Sequence, residues 1–177
     1  MVYRIKATIP ISKIFMRVYE VRPEMNLFSF NRYILNNLSF GLDQMVIFRA
    51  FNAKGEMTSQ YGMFDLGSGT VDNVTFADII EKGEVHIEYC YDFRNNRIIY
   101  LDFDGEDEEN RKLTYPCVVE EKGHNPGQFA DKYEDYMYQT TPVSGASASF
   151  DDEDDDEDDE DDMDKPEEIY DENESDE

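Results

Sequence analysis

The chain has 177 residues, of which 42 are Asp or Glu and 16 are Lys or Arg, giving a formal net charge of −26. That length gives room for one domain plus an appendage and excludes a second sizeable core. No apolar run approaches the ~18 residues of a membrane helix, and the opening Met-Val-Tyr-Arg-Ile-Lys alternates with charge, so neither a membrane span nor a signal peptide is expected.

Val2 to Ile9 alternates, with Tyr3, Ile5, Ala7 and Ile9 on one side and Arg4, Lys6 and Thr8 on the other. That is the period of a half-buried strand. Beyond Pro10, Ile11 to Val21 reads as a second strand, with Ile14, Met16 and Val18 on one face and Lys13, Phe15, Arg17 and Tyr19 on the other. The short break between them predicts an antiparallel hairpin. Pro23 ends this region, and Asn26 caps a helix over about 27–38, in which Leu27, Phe30, Ile34 and Leu38 share one side. Asn36, Asn37 and Gly41 supply its stop.

Met45 to Phe51 is apolar and β-prone. A weaker strand signal lies around Tyr61 to Phe64, before a glycine-rich loop, Gly67-Ser68-Gly69. Val74 to Glu81 is a short helix. Val85 to Phe93 and Arg97 to Phe103 form a second hairpin, joined at Asn95-Asn96. Asp104 to Asn110 is a charged loop. Leu113 to Glu120 is a strand that Pro116 assigns to an edge. Phe129, Tyr133 and Tyr136 recur at i, i+4 and i+7, which predicts a last short helix.

The expected fold is α+β. A single domain over residues 1–138 holds a mainly antiparallel sheet of about five to seven strands with two or three short helices. Residues 139–150, rich in Thr, Ser, Gly, Ala and Pro, form a linker. Residues 151–177 hold 20 acids and one Lys, twelve of those acids consecutive from Asp151 to Asp162, and self-repulsion predicts a disordered acidic tail. The extreme charge belongs to that tail, because residues 1–150 are only −7. Within them, residues 1–54 are +5 and residues 55–150 are −12, so the chain is polarised along its length. Cys90 and Cys117, both in apolar strand-like runs, read as reduced thiols of a cytoplasmic protein.

The order of these elements, together with Thr75-Phe76-Ala77-Asp78-Ile79-Ile80 leading into Tyr91-Asp92-Phe93 and a Cys at 117, resembles the family named after the third open reading frame of plasmid pRiA4b. The resemblance covers roughly residues 2–130. It implies an α+β fold and marks Tyr91, Asp92 and Phe93 as the family-motif positions. It brings no established activity, although some relatives are labelled as resolvase-like passengers of mobile elements. After Tyr-Asp-Phe the family continues with Gly-Asp and then a Trp and a His, where this chain reads Arg94-Asn95 and then Arg97 and Ile99. If those polar residues form a site, this chain has lost most of it.

Several short motifs carry a chemical reading beside a bland one. Asp65-Leu66-Gly67-Ser68-Gly69-Thr70 resembles the phosphate loop of actin-like and Hsp70-like ATPases, but a surface loop suits so small a chain better. Asp102, Asp104 and Glu106 to Glu109 suggest calcium, yet the spacing departs from the EF-hand pattern and a solvated acidic loop is preferred. His86, Cys90, Cys117 and His124 match no zinc ribbon or finger. No catalytic, cofactor or metal site is expected. The candidate interaction face is the first hairpin, where Arg4, Lys6, Lys13 and Arg17 would share a surface with Phe15 and Tyr19, a pattern suited to single-stranded nucleic acid.

Three functions follow. The first is a non-enzymatic interaction module whose acidic tail engages a basic partner protein or mimics nucleic acid. The second is a weak nucleic-acid binder, associated with mobile elements, whose own tail competes for the basic hairpin. The third is an enzyme with a site near Asp92. The first is preferred.

Overall fold

Alternating hydrophobicity at the N-terminus produces the strands it predicts. β1 (Val2–Ile9) and β2 (Ser12–Val21) form an antiparallel hairpin. The computed structural model describes residues 1–10 and 12–130, the side chain of Lys13 excepted. β2 is followed by α1 (Leu27–Leu38), β3 (Ile47–Asn52), β4 (Met57–Gly62), α2 (Phe76–Glu81), β5 (Glu84–Asp92), β6 (Arg97–Asp107) and β7 (Cys117–Lys122). The strands form one seven-stranded antiparallel sheet in the order β4-β3-β5-β6-β1-β2-β7. This is the α+β fold expected. The expected last helix at Tyr133 and Tyr136, the linker at 139–150 and the acidic tail at 151–177 lie outside the described residues.

Side-chain alternation assigns one face of the sheet to the core. Across the strands, Tyr61, Phe48, Tyr89, Ile99, Ala7 and Tyr19 are all buried, and the strand registers place them on the same side. Both helices lie on that side. α1 buries Leu27, Phe30, Ile34, Leu35 and Leu38, and its Asn31 accepts a hydrogen bond from the Tyr89 hydroxyl at 2.6 Å. Phe30 meets Tyr19 of β2 and Phe76 of α2 edge to face, at centroid distances of 5.5 Å and 5.0 Å.

Local chemistry fixes the element ends. The Asn26 side chain accepts from the Ser29 amide at 2.9 Å, as an N-cap should. At the other end the stop is Ser39, in the left-handed region at φ 60°, rather than Asn36, Asn37 or Gly41. Ser39 and Phe40 donate to the orphan carbonyls of Asn36 and Leu35 at 3.2 Å and 2.8 Å. α2 begins two residues later than the sequence pattern predicts. The Val74 carbonyl is engaged by the Leu27 amide at 3.0 Å, which ties the chain to the start of α1. Thr75 and Asp78 then close a capping box. Replacing Thr75 with alanine is expected to cost about 1 kcal/mol, read as a lower urea midpoint with unchanged slope.

Three other boundaries move. β6 runs on to Asp107, through residues read as a loop, because a bulge at Gly105 (φ 116°) lets it keep pairing with β1 as far as Val2↔Asp107. β4 lies at Met57–Gly62 rather than around Tyr61 to Phe64, since Ser59 and Tyr61 are its inward pair. β7 starts after Pro116 and is an edge strand.

Candidate functional site

The basic-aromatic face predicted on the first hairpin does not assemble. Antiparallel partners point the same way, and the pairs are Lys6↔Val18 and Ala7↔Arg17. Arg4 and Lys6 therefore share a face with Val18, while Phe15, Arg17 and Tyr19 turn into the core and are at most 3% exposed. The Lys13 side chain lies outside the described residues. Arg17 donates to the carbonyls of Lys122 and Gly123 at 2.6 Å and 3.1 Å and to Asn125 Oδ1 at 2.8 Å, with its guanidinium over the Phe15 ring. It ties down the chain leaving β7. Arg4 lies within 3.8 Å of Asp104 and 3.7 Å of Asp107.

The family-motif positions also take structural roles. Tyr91 packs on Phe40 at 5.0 Å, and burial pushes its hydroxyl up to about 12. Asp92 closes the β5–β6 turn. It accepts from the Asn95 amide at 3.2 Å and the Asn95 side chain at 2.7 Å, and lies 3.2 Å from Arg97 Nε. The Asn95 side-chain bond, then its backbone bond and the Arg97 charge, hold the Asp92 carboxyl below its ordinary range. A carboxyl depressed by folding stabilises above its unfolded pKa of about 4, and that contribution is lost as pH falls through the folded value. Asp92→Asn is expected to shrink the fall in urea midpoint below about pH 4. Phe93 is 58% exposed.

The remaining motifs resolve as structure. Asp65 Oδ1 accepts from the Gly67 and Gly69 amides at 2.8 Å and 3.0 Å, so the amides that a phosphate would need are already bonded to a carboxylate. Asp102 lies on a strand, 2.5 Å from His86 Nδ1, with His86 between the Phe51 and Tyr100 rings at 5.6 Å and 5.0 Å. Asp104 faces Arg4 instead of a shared cation position. Among the described residues no three His, Cys, Asp or Glu side chains group to hold a metal ion. Cys90 and Cys117 are free, and burial pushes both thiols up, away from the thiolate a nucleophile needs.

One surface feature escaped the sequence reading. At one edge of the adjacent strands β4, β3, β5 and β6, β4 and β5 end and β3 and β6 begin, because Gly62 pairs with Ile47, Ile47 with Cys90, and Asp92 with Arg97. The loops leaving this end expose Leu42, Met45, Met63, Phe64, Leu66 and Phe93, by 43% to 74%. Neighbouring strands stand about 4.8 Å apart, so four of them span roughly 15 Å. The described chain also finishes here: the Ala130 carbonyl accepts from Arg97, and Gln128 Oε1 accepts from the Gly41 amide at 2.8 Å. Exposed apolar residues gathered at one end of a sheet, with the exposed Asp43 and Asp65 among them in sequence, are a feature of interaction surfaces. Their only sequence signal is large apolar residues in loops that obey no strand or helix period.

No family model matches the chain, and no match is found among curated proteins. Among solved structures, the fold is similar to the crystal structure of a protein of unknown function, MM3350 from Methanosarcina mazei Go1. The TM-score is 0.66 at 18% identity, covering 77% of this chain and 78% of that one. The likeness establishes a shared architecture.

Proposed function

We propose that this protein is a non-enzymatic interaction module of the cytoplasm that binds a basic partner protein through its acidic C-terminal run. The observation behind this is the charge on residues 151–177, 20 acids against one Lys. Twelve like charges in a row attract Lys/Arg surfaces strongly and in a salt-dependent way. On the first hairpin Arg17 is buried and Arg4 faces Asp104 and Asp107, so the basic-aromatic face is not assembled there. The same two placements remove support from the nucleic-acid reading. The enzymatic reading loses its centre, because the Asp92 carboxylate is occupied by Asn95 and Arg97 within its own turn. The pRiA4b resemblance is compatible with a divergent member that keeps the scaffold. No helix among the described residues is long and apolar enough to cross a membrane.

The test is an affinity capture from cell extract with the full chain and with a chain in which each acid of 151–162 is replaced by its amide. A basic protein that is retained by the first, released by about 0.5 M salt and absent from the second is the expected result. Identical capture by the two chains rejects the proposal.

A further inference from the structure

We infer that the apolar rim at the β4-β3-β5-β6 end is a self-association surface, on which a second copy of this chain docks about a two-fold axis. Capture of a basic protein does not require this surface, so the two readings stand separately. Leu42 and Met45 before β3, Met63, Phe64 and Leu66 after β4, and Phe93 after β5 are each at least 43% exposed. Phe129, 57% exposed, lies at the same end, since its neighbour Gln128 reaches the Gly41 amide and its neighbour Ala130 accepts from Arg97 at the start of β6. Among the described residues, seven of the thirteen exposed large apolar side chains thus gather here, where single scattered ones would need no explanation. A side chain of this size offers about 200 Å² in full, so the seven leave roughly 800 Å² in solvent, the share each partner brings to a standard-sized interface. The loop carrying Phe64 is held in place beforehand. Asp65 Oδ1 accepts from the Gly67 and Gly69 amides, the Val71 amide donates to the Gly62 carbonyl at 3.0 Å, and Leu66 folds back over Gly62. Docking on an ordered loop costs little further entropy.

Charge complementarity identifies the occupant. Asp43 follows Leu42, Asp65 lies between Phe64 and Leu66, and Arg94 follows Phe93, all three exposed. Among the described residues neither Arg94 nor Asp43 forms an ion pair. The rim therefore carries both signs and complements itself: across a two-fold axis the cation of one copy meets an acid of the other, and the reverse. A partner of a single sign would set like charge against either Arg94 or the two carboxylates. Long-range charge acts the other way. Each chain has a net charge of −26, so repulsion opposes pairing of two copies at low ionic strength and fades as salt screens it. Self-association therefore tightens as salt rises, whereas capture of a basic protein loosens.

Sedimentation equilibrium of the full chain, at low and at high salt, tests this. The expected result is a monomer–dimer equilibrium in the micromolar range at high salt that is at least tenfold weaker at low salt. Phe64→Ser with Phe93→Ser, both at exposed positions, is expected to weaken the dimer at least tenfold at high salt, while the thermal midpoint of the dilute monomer stays unchanged. Arg94→Glu is expected to weaken it severalfold, because each copy then presents three acids and no cation. A monomer at every concentration and salt, a dimer that loosens as salt rises, or a dimer that either variant leaves intact overturns the inference. If Tyr133→Ser with Tyr136→Ser tightens the dimer at least tenfold, the rim belongs to the chain's own continuation and the inference is overturned equally. None of these outcomes bears on the acidic run, whose reading stands or falls on the capture experiment alone.

Discussion

Replacing Arg17 with methionine is expected to destabilise the folded domain by about 3 kcal/mol, lowering the thermal midpoint by roughly 10 °C. The guanidinium is nearly inaccessible and donates to the carbonyls of Lys122, at the end of β7, and Gly123 and to Asn125 Oδ1 just beyond it. Methionine fills much of the volume but leaves those acceptors without their donor. The Asn125 side chain in turn donates to the Asn37 carbonyl at 2.9 Å, so the loss extends to the end of α1. A role for Arg17 in binding an exposed ligand predicts the opposite: weaker binding with stability unchanged. Urea unfolding of the variant separates the two.

Phe30→Ala is expected to cost about 4 kcal/mol, the upper part of the range for removing a buried aromatic. Phe30 is fully buried and links α1 to both Tyr19 and Phe76 by edge-to-face contacts, so its removal opens the junction where the two helices meet the sheet. Phe64→Ala is the matched control: its side chain is 74% exposed, and its loss should leave the urea midpoint within about 0.5 kcal/mol of the parent. Equal effects at the two positions would contradict the assignment of Phe30 as buried and Phe64 as exposed.

The parts of this molecule that the sequence made legible are those where one face is apolar and the other is not. β1 and α1 read directly, since Tyr3, Ile5 and Ala7 alternate with charge and Leu27, Phe30, Ile34 and Leu38 recur at helical spacing. β2 did not, because both its faces carry apolar residues and the inward one carries Arg17. A charged residue normally argues for the outer face; here it is inward because carbonyls more than a hundred positions later satisfy it. The bulge between Thr8 and Ile9 also breaks the simple link between turn length and facing. The apolar rim was invisible for another reason. Its residues come from three loops spread from position 42 to position 93, and only the strand order brings them together.

The glycine-rich stretch Gly67-Ser68-Gly69 has a different consequence. It runs along the outer side of β4: Ser68 Oγ accepts from the Gln60 amide at 3.3 Å, and Val71 donates to the Gly62 carbonyl at 3.0 Å. β4 ends the sheet and lacks the charges that line β7, so its backbone would otherwise invite a strand from another molecule. By shielding that border, this short loop guards the protein against polymerising sheet to sheet.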